Sequence, residues 1–256
     1  MRYYTADLHL HHPFVAAVRG FYKPDRELTP ELIQLKRDVR DAVGSGRSDL
    51  NRIIRKIGEE TFEKIVDVRR HDDHIIKHIN ATIGKNDELV IAGDLSAGGI
   101  GSLTDALKRI DELHVPPARR YLLLGNHEGF HMRGANAQML ATRFSDVSET
   151  SYRLLGGKFP AVISHVPAKH RLNGRRDGRL AENALSKTLR KHAPDIPYRS
   201  NIYHLHGHTH ATRPNEFGSP FEVNIGLDAW GLKPVSEETL ADHIEKSMQS
   251  AQARRK

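Results

Sequence analysis

The sequence predicts an α/β fold, and three observations predict it. Apolar runs of four or five residues alternate with longer segments whose apolar positions recur at helical spacing. One of the short runs, Tyr121–Leu124, is apolar throughout, the pattern of a strand buried on both faces of a sheet. Several of the runs stop at a knot of Asp, Asn, Gly and His residues, and open α/β sheets bind ligands outside the carboxyl ends of their strands.

The elements follow in order. Arg2–Ala6 is the first predicted strand, and Asp7-Leu8-His9-Leu10-His11-His12-Pro13 is the loop after it. An Asp and a His two residues apart at a strand end can converge on one cation, the carboxylate offering hard oxygen and the imidazole offering nitrogen. Pro13 turns the chain into a helix over 14–21. From Lys23 to Arg70 the composition changes. Thr29-Pro30-Glu31 starts a helix with a capping hydroxyl, Pro at the first position and an acidic first turn. Gly44-Ser45-Gly46 interrupts it. Leu50, Ile53, Ile54 and Ile57 then follow i, i+3, i+4, i+7, and Phe62, Ile65 and Val66 extend the stripe beyond Gly58. Residues 23–70 read as a helical insertion, a candidate cap over the site, with its interleaved Arg and Lys side chains on a solvated face.

His71-Asp72-Asp73-His74 opens another helix, with Ile75, Ile76, Ile79 and Ile83 on its apolar side and His71, His74 and His78 read as sharing the opposite, wetted face. Glu88–Ala92 is a strand ended by Gly93-Asp94. A helix over 102–113 and the break Val115-Pro116-Pro117 lead to the strand Tyr121–Leu124, ended by Gly125-Asn126-His127-Glu128. A helix over 135–144 and strands at 152–155 and 161–164 follow, the second ended by His165-Val166-Pro167. The loop from Lys169-His170-Arg171 through Arg175-Arg176 to Arg179 is the most basic in the chain. A helix over 181–192 and a strand over 201–205 lead into His206-Gly207-His208-Thr209-His210, three imidazoles in five residues. The glycine between the first two lets the backbone approach closely, so that the rings can aim at one point. A strand over 221–225, ended by Gly226, a helix over 236–249 and a basic tail over 250–256 complete the chain.

The 256 residues read as one domain carrying one insertion. No run approaches the ~18 apolar residues of a membrane helix. Met1–Thr5 leads straight into a strand without the apolar stretch of a secretion signal, and the cytoplasm is the expected location. There is no cysteine, which excludes disulfides, thiolate metal sites and a cysteine nucleophile. A net charge of +7 suits an anionic substrate or contact with nucleic acid. No dedicated nucleic-acid-binding signature is present.

Collecting the strand ends gives Asp7, His9, Asp94, Asn126, His127, His165, His208 and His210. This set of nitrogen and oxygen donors is too large for one tetrahedral ion. It matches two five- or six-coordinate ions that share a bridging carboxylate.

In order along the chain, Asp7-x-His9, Gly93-Asp94, Gly125-Asn126-His127-Glu128, His165 and Gly207-His208-Thr209-His210 resemble the signature DxH, GDxx, GNH[DE], His, GHxH of the calcineurin-like metallophosphoesterase superfamily. The resemblance spans residues 2–228. The loop Asp-Leu-His-Leu-His-His and the pairing of His71-Asp72 with Gly93-Asp94-Leu95-Ser96 look like the small stand-alone bacterial and phage members. What the resemblance implies is a four-layer α/β/β/α sandwich of two mixed sheets flanked by helices, with a helical insertion after the first motif. It implies two divalent ions, manganese first, with iron, nickel, cobalt or zinc as alternatives. One ion would be held by Asp7, His9, Asp94 and His210, the other by Asp94, Asn126, His165 and His208, with Asp94 and a hydroxide or water bridging them. His127 would face the leaving-group oxygen as general acid or transition-state stabiliser. His206 and Glu128 would support the ligands from behind. His12 would lie near the phosphate, and Arg171, Arg175 and Arg176 are candidates for gripping it, since a guanidinium forks onto phosphate.

The implied activity is hydrolysis of a phosphomonoester or phosphodiester, a nucleotide-type substrate favoured, by in-line attack of the bridging hydroxide. Two alternatives stand beside it: a nuclease on the same scaffold, and a catalytically silent metal-bound interaction protein. Two positions depart from the superfamily pattern. Ala97 stands where many members carry an acidic residue, which separates this chain from the protein Ser/Thr phosphatases. His11 stands where the small relatives often have Gly, either touching substrate or replacing a tight turn.

Overall fold

The computed structural model describes residues 1–45, 47–129, 135–169, 189, 191–196 and 201–253. The basic loop with Arg171, Arg175 and Arg176, most of the helix expected over 181–192, and the last three residues of the tail lie outside them. The chain runs β1 (Arg2–Thr5), α1 (Pro13–Val18), α2 (Pro30–Ser45), α3 (Arg47–Ile57), α4 (Glu59–Ile65), α5 (Val68–Thr82), β2 (Glu88–Ala92) and α6 (Ile100–Ile110). It continues through β3 (Arg120–Leu123), α7 (Ala135–Ala141), β4 (Asp146–Ser148), β5 (Thr150–Leu155), β6 (Phe159–Ser164), β7 (Tyr203–His206), β8 (Glu222–Asn224), β9 (Val235–Ser236) and α8 (Glu237–Ala253).

The strands form two mixed sheets flanked by helices. One has the order β4-β3-β2-β1-β9, all parallel except β9; the other is β5-β6-β7-β8, with β5 and β6 antiparallel and the rest parallel. Strand alternation builds the layers. On β2, Leu89 and Ile91 join Ile75 and Ile79 of α5 and Leu103 and Leu107 of α6. Val90 and Ala92 point the other way, into a core shared with Ala161 and Ile163 of β6, Leu205 of β7 and Val223 of β8. Each such Leu, Ile or Val contributes roughly 1.5–3 kcal/mol by leaving water. The C-terminal helix α8 closes this inner core with Leu240 and Ile244.

Residues 23–65 leave the fold and return at one place. Tyr22 and Val66 form an antiparallel bridge, flanked by Lys23 N donating to Ile65 O at 3.0 Å and Asp67 N to Phe21 O at 3.0 Å. The excursion is helical, as expected. It opens where Thr29 accepts from Leu32 N and Pro30 takes the first helical position. Val39, Leu50, Phe62 and Ile65 give it a small core of its own, packed on Ala16, Ala17 and Phe21.

Several element bounds move: the helix expected over 14–21 ends at Val18, that over 102–113 runs Ile100–Ile110, and α8 continues through the first residues of the expected tail to Ala253. The helix expected from His71 begins at Val68, because Asp67 caps it by accepting from Arg70 N at 3.0 Å. His71 is fully buried and does not share a wetted face with His74 and His78: it stands four and eight residues before Ile75 and Ile79, on the apolar side. The strand expected over 121–124 begins one residue earlier, and Arg120 is buried by donating to the carbonyls of Val115 and Leu113.

Candidate metal centre

The parallel strands β1, β2, β3, β6 and β7 stop on the same side, and their ends place the expected donors together. The loop after β1 runs beside the loop after β2, with Asp7 N donating to Gly93 O at 3.0 Å and His9 N to Asp94 O at 2.9 Å. A bridge between Ala6 and Gly226 ties the two sheets at this point. Close approach demands the motif glycine. A Cβ on Gly207 would stand 2.5 Å from Ala6 Cβ and 2.6 Å from Asp7 Oδ2.

Backbone strain marks the same loops. Seven non-glycine residues among the described ones have positive φ, and six of them are Asp7 (60°), His9 (48°), His11 (56°), Asp94 (55°), His208 (70°) and His210 (52°). Such conformations cost of the order of 1–3 kcal/mol each and concentrate at functional sites. His11 takes the tight-turn role. Its backbone N donates to Asp72 Oδ2 at 3.1 Å, and its ring lies 3.6 Å from the same carboxylate.

Two donor groups that include a carboxylate result, Asp7 with His9 and His210, and Asp94 with His165 and His208, beside an all-histidine group of His9, His12 and His127, each with ligand atoms within 4.8 Å of one another. Asn126 joins the second, its Oδ1 lying 3.0 Å from His165 Nε2. Asp94 Oδ2 stands between the groups, 3.2 Å from His165 Nε2 and 3.6 Å from His9 Nε2. Its other oxygen accepts from His127 N at 3.0 Å.

The ring nitrogens test whether this pocket suits cations. His9 Nδ1 faces Ser96 O at 3.3 Å, His210 Nδ1 faces Asp228 Oδ2 at 2.8 Å and His165 Nδ1 faces Ala92 O at 2.9 Å. In a neutral ring each acceptor holds the proton on that nitrogen and leaves the opposite one with a bare lone pair. Yet His9 Nε2 and His210 Nε2 lie 3.0 Å apart, and His165 Nε2 lies 3.2 Å from His208 Nδ1. Lone pairs and carboxylate oxygens facing each other at these distances repel unless positive charge lies among them. These residues therefore could hold metal ions, and their oxygen and nitrogen donors suit first-row divalent metals.

Protons can meet part of that demand. Burial opposes charge on His165, but the ion pair and hydrogen bond with Asp94 outweigh it and push the ring up to about 10. Burial and the neighbouring His165 push His208 down to about 3. Burial raises Asp7 as well. Asp94 is held far below the usual carboxylate range because His165 and His9 outweigh its burial.

The other predicted residues fall as follows. His12 and His127 line a cavity of about 130 Å³ with His9, His210 and the α1 side chains Phe14, Val15 and Val18. None of the lining residues comes from 23–70. Burial and the neighbouring His127 push His12 down to about 4, so its ring is neutral at pH 7. Glu128 sits behind the centre and accepts from the backbone N of Asp94, Leu95 and Gly125 at 2.7–2.9 Å. His206 ends β7 fully buried, its Nδ1 3.1 Å from Gly207 O.

Two residues escaped the sequence reading. Asp228 orients His210, and the buried Arg19 grips Asp228 through Nε and Nη2, both at 2.9 Å. Asp228 follows Gly226 at the end of β8, so the strand-end rule that found the other donors also covers it. Arg19 had one signal, its place four residues after the buried Val15 on the inner side of α1.

Fold and site together define a two-sheet α/β protein with a histidine- and aspartate-built candidate metal centre at its strand ends. No protein-family profile matches the chain. It is 30% identical over 189 residues to the gene 66 protein of Mycobacterium phage D29, covering 70% of this chain and 86% of that protein. To the gene 66 protein of Mycobacterium phage L5 it is 29% identical over 192 residues, covering 70% and 83%. The chain belongs to the family of these mycobacteriophage gene 66 proteins. In fold it is similar to a crystal structure of a protein of unknown function from Aquifex aeolicus, with a TM-score of 0.52 at 16% identity over 94% of this chain and 98% of that one.

Proposed function

We propose that the chain is a dinuclear metal-dependent phosphoesterase of the calcineurin-like kind. One observation carries the reading: two groups of imidazole and carboxylate donors stand side by side with Asp94 Oδ2 between them, and His9 and His210 of the first line a cavity that also holds His127. Asp7, His9, Asp94 and His210 would hold one divalent ion, and Asp94, Asn126, His165 and His208 the other, manganese first. Bound there, the pair supplies Lewis acidity toward phosphoryl oxygens and water.

The chain's own groups do the rest. His127 hangs from the shared carboxylate by its backbone N, with its ring 5.0 Å from His9 and 5.6 Å from His12, centroid to centroid. From there it can give a proton to the leaving oxygen. Neutral His12, whose buried Nδ1 has no hydrogen-bond partner among the described residues, can meet a phosphoryl oxygen. Phe14, Val15 and Val18 give the cavity an apolar side for the organic part of the ester, which favours nucleotide-type over small polar alcohols.

The test is hydrolysis of bis-p-nitrophenyl phosphate and p-nitrophenyl phosphate by stripped protein reloaded with Mn, Ni, Co or Zn. Metal-dependent turnover is expected. Undiminished hydrolysis after exhaustive chelation overturns the reading, and a folded, two-metal protein inert toward both esters would instead be an interaction scaffold. The net charge of +7 favours a second reading, a nuclease on the same site, which predicts DNA binding that falls steeply with salt.

A further inference from the structure

We propose that Arg19 and Asp228 form a positioning pair that sets one half of the centre, the Asp7–His9–His210 half, and leaves the other half to separate supports. The inference rests on the two-ion reading above.

The Arg19 side chain is 2% exposed, and all five of its N–H donors have acceptors. Nε and Nη2 take the two oxygens of Asp228 at 2.9 Å. Nη2 also donates to Asp7 O at 2.7 Å, and Nη1 donates to Leu8 O at 3.1 Å. The last N–H goes from Nη1 to His71 Nε2 at 3.1 Å. Arginine cannot accept, so this contact leaves the His71 proton on Nδ1, where Asp72 Oδ1 receives it at 2.8 Å. A continuous polar chain therefore runs from α5 through Asp72, His71, Arg19 and Asp228 to His210.

Its two ends act on different parts of one donor group. Asp228 Oδ2 holds the His210 proton on Nδ1, which turns the Nε2 lone pair toward His9. Arg19 receives the carbonyls of Asp7 and Leu8 in the stretch where Asp7 and His9 take φ of 60° and 48°. Hydrogen bonds to a charged donor are the stronger kind and are suited to hold such a backbone. The second donor group leans chiefly on other supports, His165 on Ala92 O and the Asp94 backbone on Glu128, with His208 N on the Asp7 carboxylate joining the two halves. Lysine has three donors and cannot replace the fork.

The experiment measures Mn binding by calorimetry and by electron paramagnetic resonance in wild type, Arg19→Lys, Asp228→Asn and His210→Ala. Loss of a carboxylate that orients a metal-bound histidine typically weakens metal affinity 10–100-fold. Wild type should bind two ions with an exchange-coupled spectrum. Both positioning variants should weaken one ion by that factor, keep the other within about threefold, and give the isolated-ion spectrum seen with His210→Ala. Should either single variant fail to fold, the double variant Arg19→Gln/Asp228→Asn, which orphans no buried charge, replaces it. Equal weakening of both ions, or two unchanged ions in a folded variant, overturns the inference. A wild-type protein that binds no Mn, or one ion only, overturns the two-ion reading first and the inference with it.

Discussion

Gly207→Ala isolates the close approach on which the centre is built. The new methyl carbon would stand 2.5 Å from Ala6 Cβ and 2.6 Å from Asp7 Oδ2, both inside ordinary contact distance. Neither neighbour is the free end of a flexible chain. Ala6 is fully buried and bridged to Gly226, and Asp7 is fully buried with both oxygens accepting from His208 N at 3.0 Å. Overpacking of this kind costs about 1–3 kcal/mol. Pushing the carboxylate aside also loses a hydrogen bond to a charged acceptor, a further ~1.5–3 kcal/mol. The expected destabilisation is therefore roughly 3–5 kcal/mol, which at about 2–4 °C per kcal/mol lowers the melting temperature by some ten degrees. Gly101→Ala is the control. It lies in α6, and a Cβ there meets nothing within 4 Å, so helix propensity alone should stabilise it by up to ~1 kcal/mol. Melts of the metal-free proteins by circular dichroism read both. A Gly207→Ala melting temperature within about two degrees of wild type would show that the Asp7 loop is loose and refute the argument from close approach.

Other perturbations separate the roles of neighbouring residues. His127→Ala should keep two metal ions by elemental analysis and lose turnover by about 10²–10⁴-fold, the usual worth of a general acid. Asp94→Asn should lose metal and turnover together, and normal turnover in either variant contradicts the assigned role. Manganese at a hundred times its dissociation constant should add about 2.7 kcal/mol of stability, a rise of roughly 5–10 °C over the chelated protein in a thermal-shift assay. Tyr22 gives a pH prediction away from the centre: burial, against the opposing pull of Arg40, pushes its phenol up to about 12. A raised folded value means the neutral form is favoured in the native state. Its contribution is complete below the unfolded value near 10 and is lost as pH rises toward 12. Its hydroxyl has no hydrogen-bond partner among the described residues, so Tyr22→Phe should be at least as stable as wild type at pH 7 and flatter between pH 10 and 12 in urea midpoints.

The donors were legible because a parallel strand buried on both faces ends abruptly, and polar residues at that point have nowhere to go but the site. Asp7, Asp94, Asn126, His165 and His208 were all found in this way, hundreds of ångströms apart along an extended chain. Short edge strands were not legible: β4 has three residues and β9 two, too few for any period to show. His71 was misplaced although its spacing to Ile75 and Ile79 put it on the buried face, because a histidine beside two aspartates reads as polar until a partner is known. Arg19 is the harder case. Its worth lies in five acceptors from three separate segments, and composition cannot distinguish a buried guanidinium from a solvated one.

The strained loops explain why those side chains stand where they do. A turn that needed only a left-handed backbone would be served by glycine at no steric cost. At Asp7, His9, Asp94, His208 and His210 the chain instead accepts about 1–3 kcal/mol apiece to place an Asp or a His, the non-glycine types that tolerate this conformation best along with Asn. The fold opposes that strain locally, through His208 N on Asp7, Glu128 on the Asp94 loop and Arg19 on the carbonyls of Asp7 and Leu8. What it leaves to a shared proton or a bound cation is the pair of ring nitrogens 3.0 Å apart at His9 and His210. A site whose backbone is braced and whose donors face each other this closely is stabilised by positive charge placed among them. Preorganisation and the capacity to hold a cation are in that sense one property of these loops.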